Sequence, residues 1–511
     1  MTTDSQPHPE FAELAQFVID ERSVRMLERA YCLENDVVVL GVVDRASKEP
    51  VTVGMLDPSR RALVHQVSRT LGRPVRAVRL NAWEIRRALD QGHGIAEEDS
   101  TRLTLRPVRN ISFEREGEVP EMLDEILGRA VELRASDVHI ETYENDVDVR
   151  FRVDGVLRHI ATSLSLDNIK AVINRMKVLS DLDVAERRKA QDGRIQATFH
   201  VGRGEQREVD FRLSVVPGPF GEDAVLRILD SAAPLPLERL GLDDHELATF
   251  ERLIANPEGL LLVTGPTGSG KTTTLYAALH RINSPENKIL TVEDPIEYNF
   301  PKTNQKQVSA NMGFADYARA FMRQNPDVIL IGEIRDEETA SAAVRAAQTG
   351  HLVLSTLHTT DAVRTISRLL TLGVDPGLIA GSLLGAMSQR LVRKLCPECR
   401  EPVEPGSREA RRLGLPDEDG PFYRPLRTNP GCPICGGAGY KGRVGIYELF
   451  VLDADLSDLI AEKAPIHQIR AAALSQGMKT LLDDAVRKAR LGITSLDEIL
   501  RTVPYRILAG A

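Results

Sequence analysis

The residues with the clearest chemical potential form a glycine-rich loop after a short apolar run. The run Leu260–Thr264 leads into Gly265, Pro266, Thr267, Gly268, Ser269, Gly270, Lys271, Thr272 and Thr273. Glycines let backbone N–H groups surround a phosphate, and the positive end of a following helix adds to the attraction. Lys271 would neutralise the β- and γ-phosphates, and the Thr272 hydroxyl would hold Mg²⁺. The segment therefore predicts a site for a nucleoside triphosphate with magnesium.

Two glutamates follow further predicted strands. Glu297 comes shortly after the apolar stretch 288–292, and Glu333 comes shortly after Val328–Ile331. Acidic groups at the carboxyl ends of parallel strands lie where doubly wound α/β folds bind ligands. Either carboxylate could orient or deprotonate an attacking water, and the residue types alone do not divide these roles.

Four of the five cysteines form two Cys-x-x-Cys pairs, Cys396 with Cys399 and Cys432 with Cys435. Two such pairs predict one tetrahedral Zn²⁺ site with four thiolate ligands. The site would be structural, because no position is left for a water. Reduced free thiols or a redox pair would also account for the spacing. The fifth cysteine, Cys32, is expected to be a core or surface thiol.

Length and composition are typical of a large multidomain globular protein. The chain has 511 residues, 42% of them hydrophobic, and a formal net charge of −9. The acidic balance argues against a nucleic-acid partner. The N-terminus lacks the profile of a signal peptide, and the longest apolar candidate, residues 378–387, is expected to be a buried helix. We therefore expect a protein of the cytosol or of the membrane periphery.

The order of predicted helices and strands divides the chain into five segments. Alternating strands and helices predict an α/β protein with a RecA-like parallel sheet, and the helix followed by strands before it predicts a smaller PAS-like α+β domain. The first segment is a small α/β module without a catalytic constellation, which suggests docking or regulation. The predicted segments are the docking domain 1–105, the PAS-like domain 106–238, the RecA-like core 239–395, the tetracysteine zinc module 396–435 and the helical region 436–511.

Three arginines recur on predicted strands of the second segment, at Arg194, Arg212 and Arg227. Arginines on an isolated strand are usually solvated surface charges. Beside a triphosphate site, they become candidates for groups that stabilise the charge of the transferring phosphoryl group. Both interpretations stay open at this point.

The motifs occur in an ordered set that resembles the secretion ATPase superfamily. The set consists of Gly265-Pro-Thr-Gly-Ser-Gly-Lys-Thr272, Glu293-Asp-Pro-Ile-Glu297, Leu330-Ile-Gly-Glu-Ile-Arg-Asp336 and Thr349-Gly-His-Leu-Val-Leu-Ser-Thr-Leu-His-Thr359. The cysteine pairs, followed by the glycine-rich stretch 436–449, resemble the type II secretion and type IV pilus assembly ATPases, the GspE/PilB-like branch. The resemblance is strong from about residue 120 to 505 and weak before that.

The resemblance implies an ATP hydrolase that works as a homohexamer with ATP, Mg²⁺ and Zn²⁺. It favours Glu297 as the general base and Glu333 as the carboxylate linked to magnesium through water. His351 and His358 match sensors of the γ-phosphate, although a histidine in such a position is more often a satisfied core residue. Arg194 and Arg212 match arginines that the family extends toward the phosphates.

The resemblance also implies a place and a task in a bacterial cell. We expect a cytoplasmic ATPase, peripheral at the inner membrane, that drives pseudopilus assembly for type II protein secretion. Its expected partners are adaptor and platform proteins of that membrane, with no nucleic acid. Type IV pilus assembly is the nearest competing function, disfavoured because the N-terminal segment has no Arg-Leu-Gly repeat of the kind that binds cyclic di-GMP in some pilus and secretion relatives. Two more distant functions are a nucleic-acid motor, which the absence of basic–aromatic interleaving disfavours, and a scaffold that hydrolyses little ATP.

Overall fold

A computed structural model shows two compact units, one built mainly from residues 1–231 and the other mainly from residues 232–511. The residues that the structure describes are 14, 17–43, 47, 49–80, 82–93, 102–106, 118–201, 205–230, 234–403, 407–416, 421–426, 432, 434–435 and 437–504.

The N-terminal part of the first unit is a small α/β module. Three strands form its sheet in the order β1-β2-β3, with β1 antiparallel and β3 parallel to β2. Strands β1 and β2 are mainly apolar and buried, β3 is only partly buried, and all three share one core with the helices. The elements are α1 Glu21–Val24, α2 Arg29–Asn35, β1 Val37–Leu40, β2 Val51–Met55, α3 Arg61–Leu71, β3 Val75–Arg79 and α4 Ala82–Gly92.

The rest of the first unit is an α+β module with a mainly antiparallel sheet. Its described strands are ordered β4-β8-β9-β10-β5-β6-β7, and two helices share their core with this sheet. Along β6, alternate residues are buried, as a half-buried strand requires. The elements are β4 Arg102–Arg106, α5 Glu118–Glu132, β5 Ala135–Thr142, β6 Val147–Val153, β7 Val156–His159, α6 Ile169–Leu179, β8 Gln191–Val201, β9 Glu205–Pro217 and β10 Glu222–Asp230.

Strand β4 shows where the chain passes from the first module to the second. It pairs with β8 from Arg102↔His200 to Arg106↔Gln196, so it belongs to the sheet of the second module. The sequence predicts a linker from about residue 104 and a boundary at 105, which falls inside this strand. The difference arises because an edge strand of five residues is too short for its alternation to stand out in a sequence.

The second unit is built on a parallel sheet, as the sequence predicts. Strands β11 and β15 are buried along their whole length, because helices cover both faces of the sheet. Leu260 and Leu262 enter one core, whereas Leu261 and Val263 enter the core on the opposite face. The elements up to residue 382 are α7 Asp244–Ile254, β11 Gly259–Thr264, α8 Lys271–Ile282, β12 Ile289–Glu293, β13 Asn304–Gln307, α9 Phe314–Phe321, β14 Val328–Ile331, α10 Glu337–Gln348, β15 Leu352–Leu357, α11 Arg364–Thr371 and α12 Pro376–Ser382.

The remaining elements of the described chain are four strands and five helices. They are β16 Leu383–Leu395, β17 Arg400–Val403, α13 Arg408–Arg412, β18 Phe422–Pro425, β19 Tyr440–Val451, α14 Ala454–Ala461, α15 Ile466–Ser475, α16 Leu481–Arg490 and α17 Leu496–Thr502. Among the described residues, every helix is too short or too polar to cross a bilayer.

The large sheet has the order β13-β12-β14-β15-β11-β16-β19 and corrects two expectations. The apolar run 378–387 is not one helix, because it passes from α12 into β16, which pairs with β11 and β19. Residues 440–451, which we expected in a helical region, form the antiparallel edge strand β19. Residues 383–387 and 440–451 are strands because they complete a sheet whose other members lie far away in sequence, and local periodicity does not contain that information.

Candidate nucleotide site and cysteine cluster

The glycine-rich loop connects the buried strand β11 to helix α8. Gly270 is the N-cap of α8 and has φ +88°, so the helix begins at Lys271. The Lys271 ammonium donates hydrogen bonds to the carbonyl oxygens of Gly265 at 3.0 Å and Pro266 at 3.1 Å. Burial lowers the pKa of Lys271, and the carboxylate of Glu333 partly opposes this shift. The loop, the lysine and the helix N-terminus therefore occupy the arrangement that binds phosphates in P-loop proteins.

Glu333 lies beside this lysine and contacts an arginine and a histidine. Arg335 donates to one carboxylate oxygen, and Nε2 of His358 lies 3.5 Å from the other. Burial alone would raise the pKa of Glu333, but Arg335 and His358 outweigh it and hold that pKa below its ordinary value. Glu333 is therefore an ionised carboxylate next to the phosphate loop.

The turn that carries His358 is fixed to the strand that precedes the phosphate loop. The Thr264 hydroxyl, at the end of β11, accepts a hydrogen bond from the backbone N–H of Thr359 at 2.8 Å. The two threonine hydroxyls lie 2.7 Å apart, and Thr264 is fully buried. This contact brings His358 and Glu333 to the carboxyl end of the sheet, where the loop begins.

The backbone of Glu297 is anchored through a tyrosine on α8. The buried Tyr276 hydroxyl donates to the carboxylate of Glu293 and accepts a hydrogen bond from the backbone N–H of Glu297 at 3.1 Å. Burial and the neighbouring Glu293 raise the pKa of Tyr276, so the hydroxyl stays protonated and keeps donating. Thr291 holds the second oxygen of Glu293 at 2.6 Å. The helix that starts at the phosphate loop thus determines where the Glu297 segment lies.

The structure does not bring His351 to the phosphate loop. This histidine precedes β15 at its amino end, and the β15–β11 register pairs Leu352 with Gly259. The loop follows the other end of β11, roughly 17 Å away along the strand. The ring of His351 is buried, and its Nδ1 lies 2.9 Å from the carbonyl oxygen of Ala346. This placement is that of a core histidine that closes the turn between α10 and β15.

Arg194, Arg212 and Arg227 lie directly opposite one another on β8, β9 and β10 of the first unit. The side chain of Arg194 is 51% exposed and pairs with Asp210, and Arg227 Nε donates to Asp137 at 3.0 Å. Neighbouring like charges repel across a sheet, and these carboxylates reduce that repulsion. The three arginines form one cross-strand row, which we call the arginine row.

Sequence reasoning assigns no role to two residues of the site. Arg335 binds Glu333, and Tyr276 joins Glu293 to the Glu297 segment. The only signal for Arg335 was its place two residues after Glu333. Tyr276 gave no signal beyond its position in the helix after the loop, because its partners come from another strand.

The four paired cysteines come together. Their sulfur atoms all lie within 4.8 Å of one another, and all four residues are buried. A tetrahedral Zn²⁺ ion with bonds of about 2.3 Å would hold its sulfur ligands about 3.8 Å apart. The backbone N–H of Gly439 donates to Cys435 Sγ at 3.2 Å, a contact that stabilises a thiolate. The cluster therefore fits a tetrahedral metal ion with four thiolate ligands.

Comparison with known proteins matches two family models to this chain. The model described as type II/IV secretion system protein matches residues 113–501, and the model of the MshEN domain matches residues 8–98. The Legionella pneumophila ATPase DotB is similar in structure, with a TM-score of 0.56 and 25% identity over 79% of this chain and 100% of that one.

Curated relatives cover most of the chain. Type II secretion system ATPase E of Vibrio cholerae is 47% identical over 399 residues, 76% of each protein. Type IV pilus assembly ATPase PilB of Myxococcus xanthus is 41% identical over 485 residues, 91% of this chain and 84% of the relative. Type II secretion system protein E of Pectobacterium carotovorum is 38% identical over 510 residues, 96% and 99% of the two chains.

The site predicts which carboxylates ATP hydrolysis needs. We expect Glu333→Gln and Glu297→Gln each to lower kcat by about a hundredfold, because positioning and electrostatics carry phosphoryl transfer. Lys271→Ala should reduce kcat as strongly and weaken ATP binding as well. Steady-state phosphate release and the Kd for ATP are the measurements.

The exposed Glu286 lies in the connection between α8 and β12 and has no place in the site. Glu286→Gln is therefore the charge-matched control and should hydrolyse ATP normally. Near-normal phosphate release by the Glu297→Gln/Glu333→Gln double variant would refute the assignment of both carboxylates.

Proposed function

This chain belongs to the type II/IV secretion system protein family of P-loop ATPases, and we propose that it is a hexameric motor for type II protein secretion. In this proposal it works at the cytoplasmic face of a bacterial inner membrane and drives assembly of a pseudopilus. The observation that carries the proposal is the match to type II secretion ATPases over 76% of the chain or more. The family model that matches residues 113–501 spans the phosphate loop and the cysteine pairs.

The chemistry proposed for the site is hydrolysis of the γ-phosphate bond of ATP by water. Lys271 and the loop N–H groups bind the phosphates, and Thr272 with Glu333 would hold Mg²⁺, which neutralises phosphate charge when bound. We assign the general base to Glu297 because cations depress the pKa of Glu333, which makes its carboxylate a weak proton acceptor. Glu297 is exposed, and its backbone position is set by Tyr276.

The arginine row supplies positive charge for the transition state in this proposal. Phosphoryl transfer spreads charge over three oxygens, and an arginine that reaches them contributes strongly to the rate. Arg212 is the central member of the row, with an arginine opposite it on each neighbouring strand. A homohexamer would present the row of each subunit to a nucleotide, and closure of the first unit over that nucleotide would turn hydrolysis into movement.

We expect Arg212→Ala to lower kcat by a hundredfold or more, on the order seen for arginine fingers, while the Kd for ATP stays within a fewfold. Lys170 is exposed on α6 of the same module, so Lys170→Ala removes a charge elsewhere and is the control. Phosphate release and ATP binding are measured on the full chain at a fixed oligomeric state. Normal turnover by Arg212→Ala would exclude the row from the reaction.

The metal proposed for the cysteine cluster is a structural Zn²⁺. Elemental analysis should find one zinc per chain, with Cys396, Cys399, Cys432 and Cys435 as ligands, because four thiolates complete its tetrahedron. Cys399→Ser should lower this content, and Cys32→Ala should not, because Cys32 lies in a different core. A zinc content near zero in freshly prepared, reduced protein would contradict the proposal.

Assembly of a type IV pilus is the second candidate function. The observation in its favour is the match to PilB of Myxococcus xanthus, which extends over 91% of the chain. In either case the N-terminal module is proposed as the part that binds an adaptor or platform protein of the inner membrane.

Deletion of the gene separates the two functions. We expect the mutant to lose secreted proteins from the culture medium and to keep its surface pili, with secretion restored by the wild-type gene and not by Lys271→Ala. A variant without residues 1–98, the segment that ends with the MshEN match, should hydrolyse ATP but fail to restore secretion. Loss of pili with normal secretion would instead support the pilus function.

A further inference from the structure

A buried glutamine on β16 contacts both the phosphate loop and helix α8. Gln389 is 1% exposed, and its side-chain Nε2 donates to the carbonyl oxygen of Ser269 at 2.7 Å. Its Oε1 accepts a hydrogen bond from the Thr274 hydroxyl at 2.8 Å. The Gln389 carboxamide therefore donates a hydrogen bond to the loop, accepts one from the helix and is buried from solvent.

The loop can reach Gln389 because two of its glycines have no side chain. A Cβ on Gly265 would lie 2.4 Å from the backbone oxygen of Gln389, and a Cβ on Gly270 would lie 3.2 Å from its Nε2. The two glycines have φ values of +145° and +88°. The parallel register pairs Thr264 with Ser388, so Gln389 lies level with the start of the loop.

The hydrogen bond to Ser269 fixes the direction of the next N–H group. A trans peptide is planar, and its C=O and N–H point in opposite directions. Because Gln389 holds the Ser269 oxygen against β16, the N–H of Gly270 must point away from β16. Backbone N–H groups of this loop are the groups that bind phosphate, so their direction decides how well a nucleotide binds.

We propose that Gln389 is a positioning residue for the nucleotide, which sets the Gly270 N–H and the first turns of α8 for phosphate binding. The inference goes beyond the proposed secretion function and rests only on nucleotide binding by the loop. The nitrogen and the oxygen of the Gln389 carboxamide both hydrogen-bond to protein atoms. The side chain therefore acts on the nucleotide through Ser269 and Thr274.

The test is a double-mutant cycle of Gln389→Leu and Thr274→Val in the full chain, read by the Kd for ADP. We expect Gln389→Leu to weaken ADP binding about tenfold, because the Ser269 carbonyl loses a buried donor. Thr274→Val should weaken it less, and the double variant should resemble Gln389→Leu, because both side chains belong to one contact. Loss of an interaction that acts equally on bound substrate and transition state raises KM and leaves kcat nearly unchanged, so Gln389→Leu should raise the KM for ATP with little change in kcat.

Ser388→Ala is the matched control on the same strand. Ser388 is buried, and among the described residues no group hydrogen-bonds its hydroxyl, so its removal should leave the Kd for ADP unchanged. Unfolding in denaturant is measured without nucleotide, so that an effect on stability can be distinguished from an effect on ADP binding. A Gln389→Leu variant that loses stability but binds ADP like the wild type overturns the proposal.

Gln389→Met keeps the test decisive if Gln389→Leu does not fold. Methionine preserves the length of the side chain, and its thioether has no hydrogen to donate to Ser269. We expect it to weaken ADP binding at least tenfold, and unchanged affinity overturns the proposal. Failure of the wild-type protein to bind ADP would instead count against its assignment as a nucleotide-driven motor.

Discussion

The site depends on one constraint, which is that several backbone N–H groups must converge on a phosphate directly after a buried strand. A loop can meet that demand only if it wraps tightly, and tight wrapping brings it against its neighbours. Here the neighbours are β16, through Gln389, and the turn after β15, through the Thr264–Thr359 contact. The order of the strands, with β11 between β15 and β16, is what supplies both supports.

Charge around the loop is balanced before any nucleotide is considered. Lys271 lies near Glu333, and Glu333 is in turn bound by Arg335 and His358. Burial favours the neutral forms of Lys271 and Glu333, and Arg335 helps to keep Glu333 ionised. Arg335 and His358 already contact Glu333, which gives it a different environment from that of Glu297. This difference is why the two glutamates have different proposed roles, although both are carboxylates.

The sequence predicted the parts of this protein that rest on local pattern. The phosphate loop, the buried parallel strands and the paired cysteines are encoded within a few residues each, and the family resemblance placed them in one fold. The sequence could not predict the features that depend on contacts between residues far apart in the chain. Residues 440–451 form a strand because β16 is available to pair with them, and His351 lies at the amino end of β15 because its turn closes there. Gln389 and Tyr276 act through residues more than fifteen positions away.

The arginine row follows from the same reasoning about charge. Transfer of the γ-phosphate needs more positive charge than Lys271 provides, and the nearby Arg335 and His358 already contact Glu333. Three arginines aligned across β8, β9 and β10 repel one another, so their alignment costs stability, which Asp137 and Asp210 help to offset. Such a row is favourable when an anion with several charges binds to it. A triphosphate is an anion of that kind, and a subunit assembly that lets the row meet one would gain both stability and catalytic charge in the same step.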